Sequence, residues 1–214
     1  MKKIVLIGDS IRMGYDKYVK QALSDTAEVF YPDENCRFAE YVLRFVHEWK
    51  SRGNWPTDVD LVHWNAGLWD VCEIFGDEPL TPIELYKNLI RRIDQRLRFL
   101  FPNAKMVFAL STAVIEEQYG EGFKRTNSVI NAYNDAAKEA LSDTDTVFND
   151  LYSVTENCPR ECCSDMTHFN NPLGAARVGG QVLTVICEEL GISANEVNIE
   201  GFELHKYSKQ NIGQ

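Results

Sequence analysis

Short apolar segments alternate along the chain with longer amphipathic segments, and this alternation is the strongest constraint on the fold. The apolar segments predict strands at 4–7, 27–31, 60–64, 105–110 and 146–148. The amphipathic segments predict helices at 14–23, 38–49, 82–100, 126–141 and 172–190. Strands that alternate with helices form a parallel sheet with helices on both faces. With right-handed crossovers, the pattern predicts a three-layer α/β/α sandwich around a mainly parallel five-stranded sheet.

The composition limits the partners and the number of domains. The 214 residues show no linker, so we expect one domain over 1–214, with a polar tail at about 192–214 in which 197–204 could add an edge strand. The formal net charge of −10 would repel phosphate backbones and anionic lipid, which disfavours nucleic acid and membrane partners. No apolar run approaches the ~20 residues of a membrane span.

The N-terminus also lacks the pattern of an export signal. The apolar run that follows Met1, Lys2 and Lys3 stops at Ile7, which is short for a signal-peptide core. We therefore expect a cytoplasmic protein, in which cysteines remain free thiols. The chain has six cysteines: Cys36, Cys72, Cys158, Cys162, Cys163 and Cys187.

Ser10 is the first candidate for chemistry. The first apolar strand ends at Gly8, and the hydroxyl of Ser10 follows two positions later. In open parallel sheets, ligands bind outside the carboxyl ends of the strands. Ser10 is therefore a candidate nucleophile if other reactive groups converge on that edge, and otherwise a helix cap.

His168 is the histidine most suited to catalysis. It lies at the end of a predicted loop of about twenty residues, 151–170, directly before the last helix. The spacing Asp165-x-x-His168 lets a carboxylate reach one ring nitrogen while the other takes a proton from a serine. The alternative is that Asp165 or Thr167 caps a helix. His47 and His63 are expected to be structural, and His205 falls in the polar tail.

Asn65 ends the third predicted strand and so falls at the same edge. Its side-chain amide could donate a hydrogen bond to an oxyanion, or it could simply be a turn residue. Ser10, Asn65 and His168 would all lie at carboxyl ends that a doubly wound sheet brings together.

These blocks resemble those of the SGNH (GDSL) hydrolase family: Gly8-Asp9-Ser10-Ile11, Asn65, and Asp165-Met166-Thr167-His168. The resemblance implies a flavodoxin-like sandwich and ester hydrolysis through an acyl-enzyme, with no metal or cofactor. It also implies that Ser10 is the nucleophile, that His168 is the base and then the acid, and that Asp165 orients His168. The implied oxyanion hole uses the Ser10 N–H, the Asn65 side chain and a backbone N–H after the second strand.

Two blocks depart from the family pattern. The family usually has glycine after the second strand, whereas this chain has Asn35-Cys36-Arg37, and we take the Cys36 N–H as the third donor. The family's G-x-N-D reads His63-Trp64-Asn65-Ala66.

The substrate prediction rests on neighbouring residues. Arg12, Arg37, Trp64 and Trp69 lie near predicted site residues and could contact an anionic or sugar group. The alternatives are a surface salt bridge for either arginine and a place in the core for Trp64. We expect a small-molecule or carbohydrate ester, with an O-acetylated carbohydrate as the first candidate. A lysophospholipid or a thioester is the alternative.

Two further alternatives belong to other classes of protein. One is a binding module on the same fold, although Gly8-Asp9-Ser10 lacks the composition of a phosphate-binding loop. The other is a structural zinc site. Its ligands would be Cys158, Cys162, Cys163 and His168, although adjacent cysteines suit tetrahedral zinc poorly.

Overall fold

The computed structural model describes residues 1–208, with seven strands and six α-helices in that range. The strands are β1 (Lys2–Ile7), β2 (Ala27–Phe30), β3 (Leu61–Trp64), β4 (Glu73–Ile74), β5 (Lys105–Ala109), β6 (Phe123–Lys124) and β7 (Val147–Asn149). The helices are α1 (Ser10–Ala22), α2 (Ala39–Arg52), α3 (Ile83–Leu100), α4 (Asn127–Ala140), α5 (Leu151–Glu156) and α6 (Pro172–Leu190).

Five strands form one parallel sheet in the order β2-β1-β3-β5-β7. Counted without the two short strands β4 and β6, this is the 2-1-3-4-5 order of flavodoxin-like folds. The predicted architecture is confirmed. The order reverses at β1, so the carboxyl ends of β1 and β3 border the place where such sheets bind ligands.

Helices cover both faces of the sheet because its central strands are apolar on both sides. Ile4 to Ile7 are fully buried, as are Leu61 and Val62 of β3. On one face α1 packs against α6; on the other, α3 packs between α2 and α4. Gly179 permits the first contact, because a Cβ there would lie 2.7 Å from a ring carbon of Tyr18.

The first turn of α1 begins directly after β1. Asp9 caps the helix by accepting a hydrogen bond from the Ile11 N–H at 2.9 Å. Gly8 gives the chain room to turn, because a Cβ there would lie 2.8 Å from the Cβ of Arg12. The sequence pattern predicted a helix start at residue 14, which is wrong. The true start puts Ser10 at the first helical position.

Three other segments differ from expectation. β4 and β6, which lie between the predicted strands and helices, pair as a short antiparallel ribbon. The predicted loop 151–170 contains α5, which Asp150 caps by accepting from the Ser153 N–H at 3.0 Å. The segment 197–204 contains no strand, and its Phe202 packs on Tyr18 of α1.

Within residues 1–208, no helix combines the length and the apolar sequence needed to cross a bilayer. All six cysteines are free thiols, as predicted.

Candidate active site

A chain of hydrogen bonds connects Ser10, His168 and Asp165. The Nε2 of His168 lies 2.8 Å from the Oγ of Ser10. The Nδ1 of the same ring lies 2.8 Å from Oδ2 and 3.0 Å from Oδ1 of Asp165. Ser10 is 4% exposed and His168 is 1% exposed. The structure therefore brings together the three residues that the sequence singled out.

The turn before α6 holds the carboxylate in place. Oδ1 of Asp165 accepts from the backbone N–H groups of Thr167 at 2.7 Å and His168 at 2.8 Å. Burial acts to raise the pKa of Asp165, but the hydrogen bonds and charge of His168 and these N–H groups outweigh it. The pKa of Asp165 is lowered to about 2. The group is therefore a carboxylate throughout the neutral range.

The carboxylate fixes the tautomer of His168. An ionised carboxylate only accepts hydrogen bonds, so the proton of a neutral imidazole lies on Nδ1, facing Asp165. Nε2 is then an acceptor, and the hydroxyl of Ser10 donates to it. In this state the site can transfer the Ser10 proton to His168.

The three predicted oxyanion residues lie around Gly8. The Asn65 N–H donates to the carbonyl of Ile7 at 3.0 Å, which holds the carboxyl end of β3 beside that of β1. The Cys36 N–H donates to the carbonyl of Gly8 at 3.2 Å. Ser10, at the first helical position, has an N–H without a partner inside the helix. The oxyanion role of the three stays a prediction, and the Cys36 N–H already has an acceptor.

The side chain of Asn65 has one strongly bonded and one weakly bonded amide hydrogen. Its Nδ2 donates to the carbonyl of Ala109 at 2.6 Å and lies 3.5 Å from the hydroxyl of Ser111. An amide nitrogen carries two hydrogens, so the one that faces Ser111 makes only a long contact.

Two predicted substrate contacts are wrong. Arg12 is 2% exposed, and its guanidinium pairs with Asp16 and donates to the carbonyl of Glu34 at 2.5 Å. Trp64 is fully buried, with its ring edge-on to Phe108 at 4.7 Å. Arg12 faces inward from the first turn of α1, and Trp64 is part of a strand buried on both faces. Neither side chain is free to meet a substrate.

Arg37 and Trp69 remain candidates because both are partly exposed. The guanidinium of Arg37 lies over the ring of Tyr41 at 5.4 Å, and Arg37 has a φ of 51°. Residues other than glycine rarely adopt a positive φ. The backbone at Arg37 therefore has a conformation that glycine would adopt without strain. Trp69 lies 6.0 Å below the guanidinium of Arg125.

Arg125 joins two loops of the site, and no sequence motif indicates this role. It is 3% exposed and donates through Nε to the carbonyl of Leu68, in the segment that follows Asn65. Its Nη1 lies 3.4 Å from the hydroxyl of Tyr119, which lies 2.5 Å from the hydroxyl of Thr167. A buried cation therefore links the loop after β3 to the turn that carries His168.

His63 and the cysteines of the zinc alternative were the other candidates. His63 is fully buried, burial lowers its pKa to about 3, and its Nε2 lies 3.1 Å from the Asn149 amide, as expected for a structural histidine. Among residues 1–208, no group of three or more His, Cys, Asp or Glu side chains is arranged to hold a metal ion. The zinc alternative therefore has no support from the Cys158–Cys163 segment.

Known proteins resemble this chain in fold but not in sequence. No protein-family model matches the sequence, and no curated protein matches it significantly. Three solved structures do resemble it. A lipase/acylhydrolase from Enterococcus faecalis gives a TM-score of 0.70 at 17% identity, covering 92% of this chain and 100% of that one. The acetyl xylan esterase AlAXEase gives 0.66 at 18%, covering 86% and 99%.

The third is a protein from Parabacteroides merdae described as a GDSL-like lipase, with a TM-score of 0.64 at 13% identity, covering 89% and 95%. The chain has the fold of the GDSL-like hydrolases. In this chain the GDSL-like fold brings Ser10 and Asn65 to the carboxyl ends of β1 and β3, with His168 just before α6.

Proposed function

We propose that the chain is a serine esterase of the SGNH (GDSL) family that hydrolyses acyl esters through an acyl-enzyme on Ser10. The observation that carries this proposal is the line of hydrogen bonds from Ser10 through His168 to Asp165. A nucleophile, a base and a group that orients the base are the three parts that nucleophilic catalysis needs. The likeness to solved acylhydrolases and esterases also supports it.

In the first half-reaction the Oγ of Ser10 attacks the carbonyl carbon of the ester. The Ser10 proton passes to Nε2 of His168, which already accepts its hydrogen bond. The imidazolium that forms is stabilised by Asp165, whose pKa of about 2 keeps it ionised. His168 then protonates the alcohol oxygen as the C–O bond breaks, which leaves the acyl group on Ser10.

The negative charge on the tetrahedral intermediate needs hydrogen-bond donors. The first is the Ser10 N–H, at the positive end of α1. The second is the Nδ2 hydrogen of Asn65 that makes only a long hydrogen bond, at 3.5 Å, to the Ser111 hydroxyl. The Cys36 N–H can contribute only by sharing its hydrogen with the carbonyl of Gly8. Donors of this kind act mainly on the transition state, so they lower the barrier more than they tighten substrate binding.

In the second half-reaction a water attacks the acyl-enzyme. His168 takes a proton from this water and returns it to Oγ of Ser10 as the acid is released. The cycle restores the neutral imidazole, and no group outside the chain is consumed except water and ester.

The substrate we propose is an ester on a carbohydrate, with O-acetyl as the first acyl group to test. Support comes from the likeness to an acetyl xylan esterase and from the partly exposed Trp69 and Arg37. An aromatic ring can stack on a sugar face, and a guanidinium can bind an acidic or hydroxylated group. Assays with acetylated xylo-oligosaccharides, a lysophospholipid and an acyl thioester would compare this class with its alternatives.

The test of the reaction itself is Ser10→Ala in the full chain. We expect hydrolysis of p-nitrophenyl acetate to fall by at least about 10³-fold, because members of a triad act as a unit. We also expect a fluorophosphonate to add to the wild type at Ser10 and not to the variant. Ser128→Ala, at an exposed serine on α4, is the matched control and should keep full activity. A folded Ser10→Ala variant with unchanged hydrolysis would exclude the proposed nucleophile.

A further inference from the structure

The segment 202–208, which we call the C-terminal strap, follows α6 and contacts α1 from Tyr18 to Ser10. It contains no helix or strand, yet its side chains reach the Ser10–His168 pair. Phe202 packs edge-on against Tyr18 of α1, with ring centroids 5.9 Å apart. The strap then runs toward the turn that carries His168.

Tyr207 contacts both members of the pair. Its hydroxyl donates a hydrogen bond to the backbone carbonyl of Ser10. Its ring lies edge-on to the imidazole of His168, with centroids 5.1 Å apart. Burial raises the pKa of the Tyr207 hydroxyl, so the group stays protonated and remains a donor.

His205 makes a second bridge. Its Nε2 lies 2.8 Å from Oδ1 of Asp16, a fully buried carboxylate on α1. Its backbone carbonyl accepts from the side-chain amide of Asn170 at 3.1 Å, and Asn170 lies two positions after His168. The strap therefore holds α1 and the His168 turn at two points, although the two segments are far apart in sequence.

We propose that the C-terminal strap clamps the His168 turn onto α1, and that Tyr207 and His205 are positioning residues for the Ser10–His168 contact. The part of this proposal that concerns rate rests on the proposed esterase function. A misplacement of about 1 Å between reacting groups can cost on the order of 10²-fold in rate. A clamp on both segments limits such movement, and it acts on kcat more than on KM because it contacts the catalytic groups.

The first test is Tyr207→Ala in the full chain, which removes both contacts of this side chain. We expect kcat for p-nitrophenyl acetate to fall by about 10- to 100-fold, with KM changed by less than about 3-fold. Tyr207→Phe keeps the ring beside His168 and loses only the hydroxyl, so its loss should be smaller. Glu203→Ala, at an exposed strap residue, is the matched control and should keep the wild-type kcat.

His205 gives a second test that does not alter Tyr207. His205→Ala removes the donor to Asp16, and His205→Gln can restore one. We expect the Ala variant to lose several-fold in kcat and the Gln variant to recover most of that loss. Equal losses in the two variants would overturn the role of the Asp16 contact.

Hydrogen exchange provides a readout that needs no activity. In the turn 164–171, the backbone N–H groups of Thr167 and His168 are bonded to Asp165, and the Ser164 N–H to the His168 carbonyl. We expect these amides to exchange about 10-fold faster, or more, in Tyr207→Ala, while the middle of α3 is unchanged.

The outcomes separate the two proposals. Wild-type exchange in Tyr207→Ala, or a fall of less than about 5-fold in its kcat, would overturn the clamp and leave the esterase proposal standing. A wild type that neither hydrolyses esters nor reacts at Ser10 would overturn the esterase proposal. Faster exchange in the variant would then still support the clamp.

Discussion

The Oγ of Ser10 and the Nε2 of His168 lie 2.8 Å apart, although the two residues are separated by 158 positions. β1 ends beside the start of α1, and the turn before α6 returns to the same edge because α1 and α6 pack together. The topology of the fold therefore produces this contact, because the two residues are too far apart in sequence for local structure to bring them together.

Asp165→Asn should remove catalysis while leaving the turn folded. The amide oxygen can still accept from Thr167 and His168, but the amide nitrogen must donate to Nδ1 of His168. This forces the imidazole proton onto Nε2, which then can no longer accept from Ser10. We expect kcat to fall by up to about 10⁴-fold, as when the tautomer is inverted in other triads, with little change in Tm.

The check is kcat for p-nitrophenyl acetate, together with thermal melting by circular dichroism. Asp135→Asn is the control, because that carboxylate lies on the exposed side of α4 and pairs only with Lys138 in the described residues. A variant Asp165→Asn that keeps more than about a tenth of the wild-type kcat would contradict the assigned tautomer.

Asn65→Ala should act on the transition state. It removes the weakly bonded amide hydrogen that we propose as an oxyanion donor, and loss of one such donor costs about 10²–10³ in kcat. It also leaves the carbonyl of Ala109 without its donor, so we expect a loss of about 1 kcal/mol in the free energy of unfolding. Separate measurement of kcat, KM and urea unfolding distinguishes the two effects. Asn103→Ala, at an exposed asparagine, should change neither.

The alternation of apolar and amphipathic segments was enough to predict the sheet and five of its helices, because burial on both faces demands continuous apolar strands. The same pattern predicted the ends of helices poorly. Helix α1 begins at Ser10 because Asp9 caps it and Gly8 has no side chain, and hydrophobic periodicity does not detect either feature. The short α5 was missed for the same reason, since a capped helix of six residues shows almost no periodicity.

The sequence predicts site residues whose roles follow from their spacing along the chain. It does not predict roles that depend on tertiary contacts. Asp165 and His168 are three positions apart, so the sequence alone shows that one can orient the other. Arg12 and Trp64 lie close to site residues in sequence, but their side chains point into the core. Tyr207 comes from a polar tail whose path depends on tertiary packing, and the sequence gives no sign of it.

Arg12→Ala should be a stability variant, since Arg12 makes no substrate contact in our assignment. Its pair with Asp16 is buried, with side chains 1% and 0% exposed. Removing Arg12 leaves the buried carboxylate of Asp16 with the contact to His205 but without its guanidinium partner, and the expected loss is about 3 kcal/mol in the free energy of unfolding, the low end for a broken buried pair. Urea unfolding measures it.

The chain contains a matched control for that loss. Arg44 and Glu48 have the same i, i+4 spacing but side chains that are 58% and 36% exposed. Exposed helical pairs contribute about 0.3–0.5 kcal/mol, so Arg44→Ala should cost no more than about 0.5 kcal/mol. Similar losses in the two variants would mean that burial of the Arg12–Asp16 pair has no energetic consequence.

Asp70 should make the protein less stable as pH rises. It is fully buried, and burial raises its pKa from 3.8 to about 7, against hydrogen bonds from Thr81 and the Ala39 N–H that favour the ionised form. Between these two values the folded chain keeps the proton and the unfolded chain releases it. Stability therefore falls by about 1.4 kcal/mol per pH unit across this range and levels off above about pH 7.

Asp70→Asn removes this titration and keeps an oxygen for Thr81 and Ala39, so the stability of the variant relative to the wild type should rise by about 2–3 kcal/mol from pH 5 to pH 7.

Asp60→Asn is the control, because the pKa of Asp60 is shifted in the opposite direction. The pKa of Asp60 is lowered, because hydrogen bonds from Lys2 and the Lys3 N–H outweigh the effect of burial. Its stabilisation is lost only below pH 3.8, so its difference from the wild type should be constant from pH 5 to pH 7. Urea unfolding at each pH measures both, and a constant difference for Asp70→Asn would show that Asp70 is already ionised at pH 5.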